Sequence, residues 1–150
     1  MTLPIAFPST TPRLAFPLLY VGQTQKEVTV NETFLSADFL IDSAIEGVIS
    51  SPPTSPAVGS MWLVGAASSG AFAGKTDNLA GWTESGWRFF APKDGMRVFD
   101  LSLSAFRLYR YGWTVAAAPV APTGGQTVDV QVRQALASLI EALKSAGILS

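Results

Sequence analysis

The sequence predicts an α+β fold: an extended N-terminal arm and helix, a small antiparallel β-sheet or barrel domain, and a C-terminal helix with a heptad seam. This class is indicated by two changes in the spacing of the apolar residues. Near Met61 the helical spacing gives way to short aromatic and β-branched runs, and after residue 128 the helical spacing returns. The 150 residues suit one compact core. We divide the chain into an arm (1–22), a helical segment (23–49), a small β domain (50–115), a linker (116–127) and an oligomerisation helix (128–150).

Composition excludes several classes of function. Charged residues make up only 14% of the chain, against about 25% in typical soluble domains, so we expect other chains to cover part of its apolar surface. A net charge of −1 offers no attraction to nucleic acid or to an anionic membrane. The chain has no cysteine and no histidine, which excludes disulfides, a thiolate nucleophile, an imidazole base and the usual zinc sites. No apolar stretch reaches the length of a membrane span, so we expect no membrane insertion.

The arm is too rich in proline for a helix or a central strand. Pro4, Pro8, Pro12 and Pro17 alternate with large apolar residues, which makes the segment too apolar for a solvated tail. We expect it to be extended and to lie on another surface.

The helical segment predicts one amphipathic helix over residues 32–47. Asn31 is the expected cap and Gly47 lies near the expected end. A further helical turn before it is an open alternative. The apolar residues at helical spacing are Phe34, Ala37, Ile41, Ala44, Ile45 and Val48.

The β domain consists of the runs MWLV, GWRFF, MRVF, RLYRY and WTV, separated by turn-forming residues. WTESGWRF and LYRYGWTV place Gly86-Trp87 and Gly112-Trp113 in corresponding positions, which predicts a repeated hairpin. If TESG is a turn, Trp87 and Phe89 share one face and are core candidates. Trp82 then either pairs with Trp87 or stays exposed.

The C-terminal helix has an apolar seam with a heptad period. Its positions are spaced 4, 3, 4 and 3 residues apart: Val132, Leu136, Leu139, Leu143 and Ala146. Thr127 or Asp129 is the expected cap, and Gly147 the expected end. The seam packs either on its own domain or on other copies. The linker and the low charge favour oligomerisation through Val132, Leu136, Leu139 and Leu143.

The segments TPRLAFPLLYVGQTQKEVTVNE, SPAVGSMWLV, GAFAG and GWRFFAP resemble the domain of unknown function 2793 family, found in fibre and head-spike proteins of tailed phages and gene transfer agents. The resemblance runs from about Thr11 to Trp113. It implies a virion structural protein, made in the bacterial cytoplasm, that takes part in host attachment. It also implies other virion proteins as partners, with a homotrimer or another cyclic oligomer as the assembly. It offers no catalytic motif, and we expect no enzyme, no cofactor and no metal.

A carbohydrate-binding module is the alternative function. Exposed aromatic side chains would stack on host surface polysaccharide, and the candidate ligand-binding residues are Trp82, Trp113, Tyr109, Tyr111 and Arg110. Five of the ten basic residues fall in the same region: Arg88, Lys93, Arg97, Arg107 and Arg110. They either bind an acidic glycan or another virion protein, or form the solvated face of the sheet.

Overall fold

The computed structural model describes residues 19, 22, 24–125 and 129–150. It consists of two compact units, Met1–Asp42 and Ser43–Ser150, and we call the second the β unit. Nearly all of the predicted arm, and the candidate cap Thr127, lie outside the described residues.

Helix α1 of the first unit spans Lys26–Ile41. The prediction of a helix over 32–47 with Asn31 as its cap is wrong, because α1 ends at Ile41 and Asn31 lies inside it. The open alternative of helix before residue 32 is what the structure has, since α1 begins six residues earlier. Ala44–Ile45 and Val48–Ile49 form two short strands, β1 and β2. Short apolar runs fit helical and strand periods equally well, and here pairing with distant strands decides between them.

The first sheet of the β unit has the strand order β2-β3-β4-β5. It contains β3 (Met61–Val64), β4 (Leu79–Thr83) and β5 (Gly86–Phe90), which confirms the predicted runs MWLV and GWRFF. β2 pairs parallel with β3, whereas the other pairs are antiparallel.

The second sheet has the strand order β1-β6-β7-β8. β6 (Arg97–Asp100), β7 (Ala105–Tyr109) and β8 (Trp113–Val115) pair antiparallel, and β1 pairs parallel with β6. The α+β class is confirmed. The described strands form two open sheets with some parallel pairing rather than a barrel or a wholly antiparallel sheet.

The chain passes from one sheet to the other between β1 and β2. The backbone N–H of Glu46 donates to the Met61 carbonyl at 2.8 Å, and the N–H of Leu63 donates to the Gly47 carbonyl at 3.0 Å. This crossing brings β1 against β3. Both sheets contribute buried apolar residues: Ile45, Met61, Leu63, Leu79, Val98 and Ala105.

A second apolar cluster lies on the first sheet, under the loop between β3 and β4. Phe72, from the short 3-10 helix Gly70–Phe72, is fully buried with Val64 and Ala80. Trp87 and Phe89 pack against them, as predicted for core residues.

Both predicted hairpins are present. Thr83 pairs with Gly86 across the turn of the β4–β5 hairpin, and the Thr83 hydroxyl donates to the Gly86 carbonyl at 2.8 Å. Tyr109 pairs with Trp113 across the β7–β8 turn, where Gly112 has a φ of 157°. In each case the tryptophan that follows the glycine lies at the start of the returning strand.

Helix α2 spans Val130–Ser145, and its cap is Asp129, one of the two predicted candidates. The Asp129 carboxylate accepts from the Val132 N–H at 3.0 Å. Gly147, with a φ of 69°, ends the helix as predicted, and the N–H of Ile148 donates to the Leu143 carbonyl at 2.9 Å.

Residues 147–150, which we call the tail, return the chain to the second sheet. The Phe106 N–H donates to the Gly147 carbonyl at 2.7 Å, and Leu149 forms a parallel bridge with Ala116. The first residues of the predicted linker are therefore paired with the tail.

Candidate functional site

The predicted ligand-binding residues lie on both sheets. Tyr109, Arg110, Tyr111 and Trp113 belong to the β7–β8 hairpin, whereas Trp82 lies in β4 of the first sheet. Their role as sugar contacts stays a prediction, and the geometry shows what each of them contacts.

Trp82 pairs with Trp87, one of the two predicted alternatives. The two rings are 4.9 Å apart between centroids, and Trp62 contacts Trp87 edge-on at 5.7 Å. All three indoles are partly buried, so a large part of their surface is used in packing the first sheet.

Trp113 is also held by the protein itself. Its indole Nε1–H donates to the Asp77 carbonyl at 2.9 Å, and its ring meets Tyr109 edge-on with 5.3 Å between centroids. This hydrogen bond ties β8 to the loop that precedes β4. The indole polar group therefore already has a partner.

Tyr111 is 96% exposed. It has a φ of 55° in the β7–β8 turn, and its backbone N–H donates to the Asp94 carboxylate at 3.3 Å. The side chain extends into solvent, beside the exposed Arg110.

The basic residues that cluster in sequence separate in the fold. Arg107 is used internally, because its Nε–H donates to the fully buried carboxylate of Asp100 at 2.6 Å. Burial on its own raises the pKa of this carboxyl group, but hydrogen bonds from Ser102 and the Arg107 guanidinium outweigh it, so the pKa lies below its usual value. Arg88 lies on the first sheet, in β5.

Arg97 and Arg110 line one groove on the second sheet. This outer groove has a volume of about 550 Å³. Its apolar walls come from β7 and β8 and from the tail: Phe106, Leu108, Val115 and Ile148. Of the two arginines, Arg110 is among the ligand-binding residues predicted from the sequence. Arg97 was noted there only as one of the clustered basic residues, and the apolar residues of the groove were not predicted. The groove could not be found from the sequence because it depends on the strand register. This register places Arg97, Leu108 and Thr114 opposite one another on β6, β7 and β8.

The predicted oligomerisation residues form an apolar stripe along α2, which we call the seam: Val132, Leu136, Leu139 and Leu143. No residue of the helix is buried, and Val132 and Leu139 are 62% and 55% exposed. Ala135, Ile140 and Ala142 extend the apolar face on both sides of the seam. The helix is amphipathic, and within it only Arg133, Ile140 and Leu143 are partly buried while its other residues are exposed.

Arg133 is the charged residue nearest to the seam, and its own linker binds it. Its guanidinium donates to the Pro122 carbonyl at 2.9 Å and also to the Gly124 carbonyl. The side chain is thus drawn toward residues 122–124.

The described part of the chain has no cluster of three or more acidic side chains suited to hold a metal ion. Neither described helix is long and apolar enough to cross a membrane.

A family model described as "Protein of unknown function (DUF2793)" matches residues 30–114, which is more than half of the chain. The matched region covers both sheets except the last residue of β8, and it ends before α2. No curated protein matches the chain.

Proposed function

Because the chain belongs to the DUF2793 family of proteins of unknown function, and its segments resemble phage fibre and head-spike proteins, we propose that it is an oligomeric structural component of a virion. It would form part of a tail fibre or head spike of a tailed phage or gene transfer agent and take part in host attachment. The helix α2 would assemble the copies, and the β unit would supply the outer surface.

The exposed seam of α2 is the observation that supports this proposal best. A 16-residue helix is only marginally stable in water unless its apolar face is packed. Burying a Leu side chain stabilises by roughly 1.5–3 kcal/mol, and the seam holds three leucines. Packing between copies would bury these side chains and stabilise the helix at the same time.

The residues beside the seam favour more than two helices. In two-stranded coiled coils the flanking positions are often Glu or Lys, which pair across the interface. Here Ala135, Ile140 and Ala142 occupy these positions, so the apolar face is wider than two helices need. A homotrimer would bury this wider face, and it suits the cyclic symmetry of a fibre or spike.

Light scattering coupled to size exclusion tests the assembly. We expect the wild-type chain to have about three times the 15.8 kDa mass of one copy at micromolar concentration. Leu139→Asp places a charge in the seam and should yield monomers. Gln134→Asp places the same charge on the opposite side of the helix and should keep the oligomer. A wild-type chain that is monomeric would rule out assembly through α2.

Sedimentation of particles tests the virion role separately. In a lysate that contains phage or gene-transfer-agent particles, an antibody against the chain should detect it in the particle band of a density gradient. Wild-type chain found only in the unsedimented fraction would overturn the virion role, whatever its oligomeric state.

A further inference from the structure

The outer groove combines two cationic side chains with apolar lining residues. Arg97 on β6 and Arg110 after β7 line it together with Phe106, Leu108 and Ile148. Its volume of about 550 Å³ falls in the roughly 300–1,000 Å³ range of small-molecule sites. The groove is thus large enough for a compact ring with an anionic substituent.

Arg97 is positioned before any ligand arrives. Its guanidinium carbon lies 4.5 Å from the centroid of the Phe106 ring. The Phe106 ring is itself held edge-on by Phe99, with 5.1 Å between centroids. Stacking on an aromatic ring uses the flat face of a guanidinium and leaves the N–H groups at its edge free to donate.

Both arginines have unused donors within the part of the chain that the structure describes. Neither the Arg97 nor the Arg110 guanidinium forms a hydrogen bond or an ion pair with a residue in 24–125 or 129–150. The residues lining the groove include no Asp or Glu, and the nearby Asp94 carboxylate accepts from the Tyr111 N–H. The groove therefore offers positive charge and N–H donors, and no carboxylate side chain lines it.

We infer that the outer groove binds the carboxylate of an acidic sugar residue, such as a uronic acid within a polysaccharide. A carboxylate accepts two parallel N–H bonds from a guanidinium, and such charge-assisted bonds are about twice as strong as neutral ones. The C–H face of the sugar ring would lie on Leu108 and Ile148, and the Thr114 hydroxyl can accept from a sugar hydroxyl. The inference rests on the attachment role in the proposed function and gives it a ligand.

The groove differs from the aromatic site expected from the sequence. Trp82 lies on the other sheet, and the Trp113 N–H is bonded to the Asp77 carbonyl. Recognition here would depend on charge at Arg97 and Arg110 rather than on stacking against exposed indoles.

Calorimetry with the wild-type full chain tests the inference, with oligogalacturonate as the acidic probe and a neutral gluco-oligosaccharide of equal length as the comparison. We expect saturable binding of the acidic probe only. Arg97→Gln and Arg110→Gln should each weaken it about tenfold or more, as expected when a hydrogen bond to a charged group is lost. Arg97→Lys keeps the charge without the planar donors and should fall between wild type and Arg97→Gln.

Lys93→Gln is the matched control. It removes one positive charge from an exposed residue close to the groove but outside its lining, and it should leave binding unchanged within about twofold. Circular dichroism and light scattering of each variant should match those of the wild type. A loss of binding then cannot be attributed to a loss of folding or of assembly.

Three results would overturn the inference. One is no saturable binding of oligogalacturonate by the wild type. Another is an equal loss in Lys93→Gln, which would indicate attraction by net charge alone. The third is equally tight binding of an oligoglutamate peptide with the same dependence on Arg97 and Arg110, which would assign the groove to acidic peptides. If the wild-type chain forms the oligomer but does not bind oligogalacturonate, the proposed assembly stands and only the inference about the ligand is overturned.

Discussion

Arg107 and Asp100 form an ion pair inside the β6–β7 hairpin, with the Arg107 Nε–H donating to Asp100 Oδ2 at 2.6 Å. Asp100 Oδ1 also accepts from the Ser102 backbone N–H at 2.9 Å and from the Ser102 hydroxyl at 2.6 Å. The carboxylate is fully buried, and the Arg107 side chain is 16% exposed. One carboxylate thus fixes both the turn after β6 and the strand that returns from it.

Replacing Asp100 by Asn should destabilise the β unit strongly. The substitution leaves the mostly buried Arg107 guanidinium without its counter-ion, which typically costs about 3–5 kcal/mol of unfolding free energy. Urea denaturation followed by tryptophan fluorescence measures this, because all four tryptophans lie in the β unit. Asp94→Asn makes the same change at an exposed carboxylate and should cost less than about 0.5 kcal/mol. Equal losses in the two variants would contradict a special role for the pair.

The same carboxylate predicts a loss of stability in acid. Its pKa in the folded β unit is lowered, so the unfolded chain binds the proton more readily. Its contribution is complete above the unfolded pKa of about 3.9 and disappears as the pH falls from there through the folded pKa. The difference in unfolding free energy between wild type and Asp100→Asn should therefore shrink below about pH 4. A difference that stays constant from pH 7 down to pH 2.5 would show that ionisation of Asp100 contributes nothing.

Replacing Gly147 by Ala should weaken the attachment of the tail. An added Cβ would lie 2.8 Å from Phe99 Cε2, and the φ of 69° is strained for any residue with a side chain. Gly74 has a φ of 72° with no atom within 4 Å of an added Cβ, so Gly74→Ala tests the backbone strain alone. We expect Gly74→Ala to cost about 1–2 kcal/mol, and Gly147→Ala about 1–3 kcal/mol more. Equal unfolding free energies in urea would mean that Phe99 moves aside freely.

Replacing Trp113 by Phe should separate β8 from the loop before β4. The substitution removes the N–H that donates to the Asp77 carbonyl, at an expected cost of about 1–3 kcal/mol. Trp62→Phe removes an equal volume from a partly buried indole that has no hydrogen bond among the described residues. Thermal unfolding of both variants tests this, and a larger loss in Trp62→Phe would show that ring packing outweighs the hydrogen bond.

Local signals in the sequence predicted much of the fold. Each of the five aromatic and β-branched runs overlaps a strand, although Arg110 and Tyr111 lie in the turn after β7, and Asp129 and Gly147 bound α2. Turns and caps depend on a few neighbouring residues, and this is why they are readable from a short segment. The end of α1 was not readable, because β1 and β2 are two-residue strands that exist only through pairing with β6 and β3.

The candidate site depended on register, which the sequence does not give. Arg97 and Phe106 lie nine positions apart and meet only because β6 and β7 pair with Arg97 opposite Leu108. Ile148 reaches the groove because the tail returns to the sheet. The seam of α2, in contrast, follows from helical geometry alone, because the heptad spacing places its residues on one face of the helix.

Ala116 and Leu149 lie side by side, although the linker and α2 separate them along the chain. The chain therefore leaves the second sheet and returns to it at the same place, and no residue of the intervening helix is buried. Such an excursion can change its length or sequence with little effect on the sheets, because a longer closed loop costs little additional entropy. The length and sequence of the helix can therefore vary while the β unit keeps its surface.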